Sequence, residues 1–224
     1  HSTKRMIVVA PTGVAAINAN GVTIHSFFQL PLSPFVPESM VKPRFEYSKQ
    51  KRQIMRTLDL LIIDEISMVR ADILDAIDSI LRRFREHNKP FGGVQLLMIG
   101  DLQQLTPIVK PEEEKLLSRY YNTPYFFDSK ALQSTQYVTI ELTKVFRQQD
   151  EVFINILNHF RNGNVTDNDF EILNKRYQAN FNPGKNSDYI HLTTHNRIAD
   201  NINDRQLEQI KEKAYKFCAR TEGQ

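Results

Sequence analysis

Apolar residues gather in short blocks along this chain, and polar chemistry follows each block. Five runs, at residues 6–10, 60–63, 94–99, 137–140 and 189–192, are continuous enough to predict strands buried on both faces. Between them, apolar positions recur at helical spacing. Ile73, Ile77, Ile80, Leu81 and Phe84 share one face of 70–85, and Val152, Phe153, Ile156, Leu157 and Phe160 share one face of 150–160, which Asn162-Gly163 stops. Ile198, Ile202, Leu207 and Ile210 do the same within 196–214. Strands alternating with helices predict an α/β fold of mostly parallel sheets flanked by helices. Pro31, Pro34, Pro37 and Pro43 break this rhythm and lead into the basic stretch 49–52, so residues from about 31 to 56 read as an insertion looping off the first sheet and not as part of its core.

Composition narrows the class without naming a partner. With 41% hydrophobic and 25% charged residues the 224-residue chain is globular, not disordered, and long enough for two modest domains. A net charge of +3 does not by itself mark a nucleic-acid binder; local clusters at 42–44, 49–52 and 82–85 would have to carry that footprint, and each is equally a solvated face. The single cysteine, Cys218, excludes a disulfide within the chain and points to a reducing compartment. No apolar run approaches the ~20 residues that span a membrane.

The chemistry collects where strands end, the edge at which open parallel sheets bind ligands. Asp64-Glu65 follows Leu60-Leu-Ile-Ile63, the pattern of a Walker B element: one carboxylate to ligate Mg²⁺ on a triphosphate, the next to orient or deprotonate the attacking water. A solvated acidic turn is the plain alternative. Gly100-Asp101 and Gln104 follow another strand; Gly100 allows close backbone approach, and a neutral amide such as Gln104 can sense the γ-phosphate, although a capped turn ended by Pro107 fits too. Arg147 is the candidate cation for phosphoryl transfer, or an ordinary surface arginine. Thr12, Gly13, Thr23, His25, Ser26, Phe27 and Phe28 offer hydroxyls, backbone N–H groups and rings suited to phosphates and bases, with the two phenylalanines also natural core residues. Three other patterns are set aside. His191 and His195 lack the Glu of a zincin helix, Gly184-Lys185 lacks the rest of a phosphate loop, and Asn164-Val-Thr166 matters only in a secreted chain.

Together these segments resemble the superfamily 1B DNA helicases of the Pif-one type (petite integration frequency), bacterial-like in pattern. The resemblance rests on Val8-Val-Ala-Pro-Thr-Gly-Val-Ala-Ala16, Gly21-Val-Thr-Ile-His-Ser-Phe-Phe28, Leu61-Ile-Ile-Asp-Glu-Ile-Ser-Met68, Gly100-Asp-Leu-Gln-Gln-Leu105, Glu141-Leu-Thr-Lys-Val-Phe-Arg-Gln148 and His191-Leu-Thr-Thr-His-Asn196. It implies two RecA-like (P-loop NTPase) domains: a first, at 1–134, nearly complete, and a second, at 135–224, truncated. It implies ATP and Mg²⁺ as cofactors and an ATP-driven, monomeric motor moving 5′ to 3′ on single-stranded and forked DNA, serving replication, repair, recombination or genome maintenance. Asp64 would hold Mg²⁺, Glu65 activate water, Gln104 couple phosphate to DNA and Arg147 act as the finger, with Asp64, Gln104 and Arg147 touching the nucleotide. Thr12, Gly13, Thr23, His25 and Phe28 would meet DNA from the first domain, and Thr193, His195 and Asn196 from the second. The Pro-rich insertion would be a wedge-bearing subdomain. The location implied is the bacterial cytoplasm at the nucleoid, or the nucleus or mitochondrion of a eukaryote. The family's Walker A element and last motifs are not in these 224 residues, so the chain alone is expected to lack ATPase activity. The competing readings are a RecD-type or relaxase-linked helicase subunit and a non-catalytic single-stranded DNA-binding module.

Overall fold

The computed structural model describes residues 4–36, 47–181 and 189–219. They fall into two compact units, His1–Glu151 and Val152–Gln224. The first is built on four parallel strands, β1 (Met6–Ala10), β2 (Val22–Thr23), β3 (Leu60–Ile63) and β4 (Gln95–Met98), in the order β2-β1-β3-β4. Val9 lies opposite both Val22 and Ile63, and Ile63 opposite Met98, so all four strands end at one edge. Val9, Leu61 and Ile63 point into the main core, whereas Met6, Leu97 and Ile99 remain exposed. β2 is too short for a hydrophobic run to reveal it.

Among the described residues this unit has six α-helices: α1 (Gly13–Asn18), α2 (Ile24–Phe28), α3 (Lys49–Thr57), α4 (Ala71–Phe84), α5 (Pro111–Leu117) and α6 (Lys130–Gln133). α4 is the chief packing element. Ile73, Leu74, Ile77, Ile80 and Leu81 give it an apolar stripe that is buried in the core. Asp72 in its first turn and Arg82 and Arg83 in its last complement the helix dipole. The chain reverses after α4 through Gly92, at φ 62°, where an added Cβ would lie 2.7 Å from the Leu81 carbonyl oxygen. Asp78 fastens this turn by accepting from the Phe91 N–H at 2.5 Å and from the Arg82 guanidinium at 2.7 Å.

The expected insertion is corrected at its carboxyl side. Residues 49–57 form α3, Met55 of α3 is fully buried, and Tyr47 and Leu58 on either side join the same core cluster. The Tyr47 hydroxyl donates to the Phe28 carbonyl at 2.7 Å, which ties the start of α3 to α2. Basic residues hid an amphipathic helix whose buried positions are few. Residues 37–46, with the 42–44 cluster, lie outside the described residues.

Two expected strands do not form. Residues 137–140 and 189–192 pair with no strand among the described residues, and Val138 and Ile140 are 87% and 80% exposed. An apolar run becomes a strand only where a neighbour accepts its N–H and C=O groups. The second unit is helical in its described part: α7 (Glu151–Asn162), which begins at the unit boundary, α8 (Asp167–Asn174) and α9 (Asn196–Glu208). Ile156 of α7 is buried, Phe160 and Phe170 meet edge to face at 6.0 Å, and Gly163 at φ 70° follows the end of α7. Thr166 and Asp169 cap the start of α8 reciprocally. α9 buries none of its residues.

Candidate functional site

The parallel register carries Pro11-Thr12, Ile24-His25, Asp64-Glu65 and Ile99-Gly100-Asp101 to the carboxyl edge of the first sheet. The ladder persists past the strands: the Asp64 N–H donates to the Val9 carbonyl at 2.9 Å, Ile99 N–H to Ile63 at 2.9 Å and Ile66 N–H to Ile99 at 2.9 Å. These bonds hold the exit of β3 between its two neighbours. The chain then turns sharply at Glu65, whose φ of 52° and ψ of 46° place it in the left-handed region. For a residue with a Cβ this conformation costs roughly 1–2 kcal/mol and is kept where surrounding structure enforces it. Asp64 Oδ1 accepts the Glu65 N–H at 3.0 Å. The second oxygen of Asp64 has no protein hydrogen bond among the described residues.

Gly100 fills the role its sequence position suggests. A Cβ there would lie 2.9 Å from Ile66 Cγ2 and 3.0 Å from Ile66 N, so only glycine lets the end of β4 approach the turn after Glu65 this closely. Asp101 then organises a turn, accepting the Gln103 N–H at 3.0 Å and the Gln104 side-chain amide at 3.0 Å. The capped turn therefore forms, with Gln104 exposed at the edge and its amide donating to Asp101.

Several predicted contacts have local duties as well. Thr12 caps α1 by accepting from Ala15 N–H at 3.2 Å, and Thr23 caps α2 by accepting from Ser26 N–H at 3.3 Å. His25 is half-buried on α2. Burial holds its pKa below the ordinary 6.5, the nearby Arg70 charge pushes the same way, and Asp72 opposes them. Phe28 is a correction. It is 0% exposed in the core, edge to face with the buried Phe27 at 4.8 Å, and has no free ring face for a base. Arg147 is exposed in the irregular segment between α6 and α7. Thr193, His195 and Asn196 belong to the second unit, where His195 precedes α9 and takes a 2.8 Å contact from the Thr194 hydroxyl.

Sequence reasoning missed a buried polar layer directly after the acidic pair. Arg70 grips Asp72 with two 2.8 Å bonds and Glu113 with one at 2.9 Å. Asp72 also accepts the Phe35 N–H at 2.9 Å. Burial disfavours the Arg70 charge, yet the two carboxylates hold its pKa above the usual value. One turn on, Asp75 accepts from the Tyr121 hydroxyl at 2.8 Å, the Ser129 hydroxyl at 2.6 Å and the Ala131 N–H at 3.0 Å. The signal was available in part: Arg70 at the N-cap of α4, and Asp72 and Asp75 in its first turns, are polar positions beside its buried apolar stripe. Ser67 is a further surprise, since its hydroxyl is buried and has no hydrogen-bond partner among the described residues.

The oxygen of Asp64 left without a hydrogen bond is a hard donor that could hold Mg²⁺. Among the described residues no three His, Cys, Asp or Glu side chains gather as a metal site. A single free carboxylate oxygen, with the remaining ligands drawn from water and phosphate, is how Mg²⁺ is ordinarily held at a nucleotide.

Comparison with known proteins gives the family and the fold. The family model described as PIF1-like helicase matches residues 1–171. The chain is 38% identical over 168 residues to the ATP-dependent DNA helicase PIF1 of Saccharomyces cerevisiae (strain YJM789), covering 75% of this chain and 19% of that protein. It is 35% identical over 222 residues to the ATP-dependent DNA helicase PIF1 of Homo sapiens, covering 95% of this chain and 32% of the human protein. The crystal structure of Pif1 helicase from Bacteroides in complex with ADP-AlF3 and ssDNA superposes with a TM-score of 0.88 at 42% identity, over 95% of this chain and 49% of that one. The chain thus spans a fifth to a third of these curated relatives and about half of the solved chain. Its parallel sheet with flanking helices is the RecA-like fold of those structures, and this chain belongs to the PIF1-like helicase family.

Proposed function

We propose that the protein carrying this chain is an ATP-dependent DNA helicase that moves 5′ to 3′ along single-stranded DNA and separates forked duplexes in replication, repair, recombination or genome maintenance. The observation that supports it most is the shared edge of the sheet, where Asp64 and Glu65 stand between the Thr12-Gly13 turn and the Gly100–Gln104 turn. Relatives described as ATP-dependent DNA helicases, and a Bacteroides relative solved with ADP-AlF3 and ssDNA, support the same reading. The motor unit is one copy of the protein, working wherever the cell keeps its DNA; among the described residues no helix is long and apolar enough to cross a membrane.

Bound Mg²⁺-ATP supplies the phosphoanhydride whose hydrolysis drives movement. The uncommitted oxygen of Asp64 is the ligand this chain offers to the metal. Glu65, turned out of the ladder by its left-handed backbone, orients a water and takes its proton. Gln104, whose amide donates to Asp101, would contact the γ-phosphate, and the exposed Arg147 would bring positive charge to the transferring phosphoryl group. Thr12, Gly13, Thr23 and His25 are the DNA contacts of the first unit, and Thr193, His195 and Asn196 are those of the second.

The test is strand separation by the full-length protein on duplexes carrying a 5′ or a 3′ single-stranded tail. ATP-dependent unwinding of the 5′-tailed duplex, with little on the 3′-tailed one, is expected. Unwinding without ATP, or only from a 3′ tail, would overturn the proposal.

A further inference from the structure

α3 has two faces of different chemistry. Ser48 caps it by accepting the Lys51 N–H at 3.1 Å, and Met55 is buried in the core. Lys51 is turned inward over the Phe27 ring at 3.7 Å from its centroid, and burial lowers its pKa. On the opposite face Lys49, Arg52 and Arg56 follow one another at i, i+3 and i+7, and all three are exposed. α4 brackets them. Arg83 lies close enough to Tyr47 for its charge to act on the phenol, and the Arg85 guanidinium donates to the Arg56 carbonyl at 2.8 Å.

Among the described residues Lys49, Arg52, Arg56 and Arg83 have no ion pair; Asp78 is held by Arg82 at 2.7 Å, Glu86 by Lys89 at 2.6 Å, and Asp59 accepts the Arg5 N–H at 3.0 Å. From Lys49 to Arg56 the helix rises ~10 Å. One strand of B-DNA advances ~3.4 Å per phosphate along its axis, so the stripe spans about three phosphates.

We infer that the exposed face of α3, with Arg83, is a docking surface for the phosphate backbone of duplex DNA ahead of the single-stranded track. The assignment rests on the DNA-motor reading above. Lys51–Phe27 and Tyr47–Phe28 lock the start of α3 to α2, which carries His25, so the stripe continues away from the residues proposed to hold the single strand. Single-stranded sites pair their cations with exposed aromatic rings for base stacking, and among the described residues this face has none. A protein interface draws its affinity from aromatic or aliphatic anchors, whereas the exposed neighbours here are Gln50, Gln53 and a single Ile54. What remains is charge at regular spacing on a rigid helix, which suits a regular backbone.

The test uses the full-length protein and the triple variant Lys49→Gln/Arg52→Gln/Arg56→Gln, whose changed side chains are solvent-exposed and good helix formers. Fluorescence anisotropy measures binding between 50 and 200 mM salt to a single-stranded oligonucleotide and to the same oligonucleotide joined to a duplex. The variant is expected to keep single-strand affinity within about twofold and to lower the salt slope on the duplex-bearing substrate by roughly 2–3. Equal loss on both substrates would place the stripe in the single-strand track, and no loss on either would leave it to an acidic protein; both overturn the inference. Failure of the unaltered protein to bind either DNA would instead overturn the helicase reading itself.

Discussion

Arg70 offers the sharpest stability test, because its charge is buried among charges. The side chain is 12% exposed, against 1% for Asp72 and 10% for Glu113, and three short hydrogen bonds join them. Arg70→Met removes the guanidinium and leaves two carboxylates facing each other in the same desolvated space. Breaking a buried pair from one side costs about 3–5 kcal/mol, far above the 0–1 kcal/mol of an exposed pair. With a urea slope of ~2 kcal/mol per M the midpoint should fall by about 2 M. Asp72→Asn keeps an oxygen for the Phe35 N–H but removes the ionic partner, and should cost somewhat less. The double variant should cost less than the sum by ~1–3 kcal/mol, since each single change strands the other's charge. Urea melts followed by far-UV circular dichroism give all three values. A loss below ~1 kcal/mol for Arg70→Met, or additivity within ~0.5 kcal/mol, would refute the coupled network.

Other consequences are as direct. His25 has a folded pKa below its unfolded value, so its contribution to stability is present above pH 6.5 and fades as pH falls from 6.5 through the folded value; imidazole NMR should titrate below 6.5, and Arg70→Met should move it upward. A midpoint above 6.5 would contradict the burial. Gly100→Ala must push its Cβ against Ile66 and the Ser67 backbone N, 3.1 Å away, and should cost about 1–3 kcal/mol in a thermal melt; an unchanged melting temperature would show that the turn yields freely. Ser67→Ala removes a buried hydroxyl that has no partner and should be neutral or stabilising by up to ~1 kcal/mol, whereas a loss above ~1.5 kcal/mol in the same melt would mean that the hydroxyl is bonded.

The legible parts of the sequence were those whose neighbours are supplied by the first unit itself. β1, β3 and β4 are apolar runs that pair in register, and the 70–85 periodicity became α4 almost residue for residue, with Leu74 added. Asp64, Glu65 and Gly100 could be placed because a strand end fixes its successor. Residues 137–140 carried the same apolar signal without a pairing partner, so composition misled. α3 was hidden for the opposite reason: its exposed face is so basic that the buried Met55 and Leu58 left little pattern. Phe28 shows the limit for site residues, since an aromatic in a nucleic-acid motif and an aromatic in a core look alike until burial is known. The Arg70 network was least legible, because its partners Asp72 and Glu113 are 41 residues apart in sequence and meet only through the fold.

We propose that Asp64 and Glu65 form the hydrolytic pair at the sheet edge of an ATP-driven DNA motor. Single-turnover ATP hydrolysis by the full-length protein on saturating single-stranded DNA, with and without Glu65→Gln, tests it most directly when nucleotide affinity is measured in parallel. The amide keeps the size of the side chain but cannot take a proton, so the rate should fall ~10²–10⁴-fold while ATP affinity stays within a few fold. Hydrolysis by the variant at the unaltered rate would contradict the assignment.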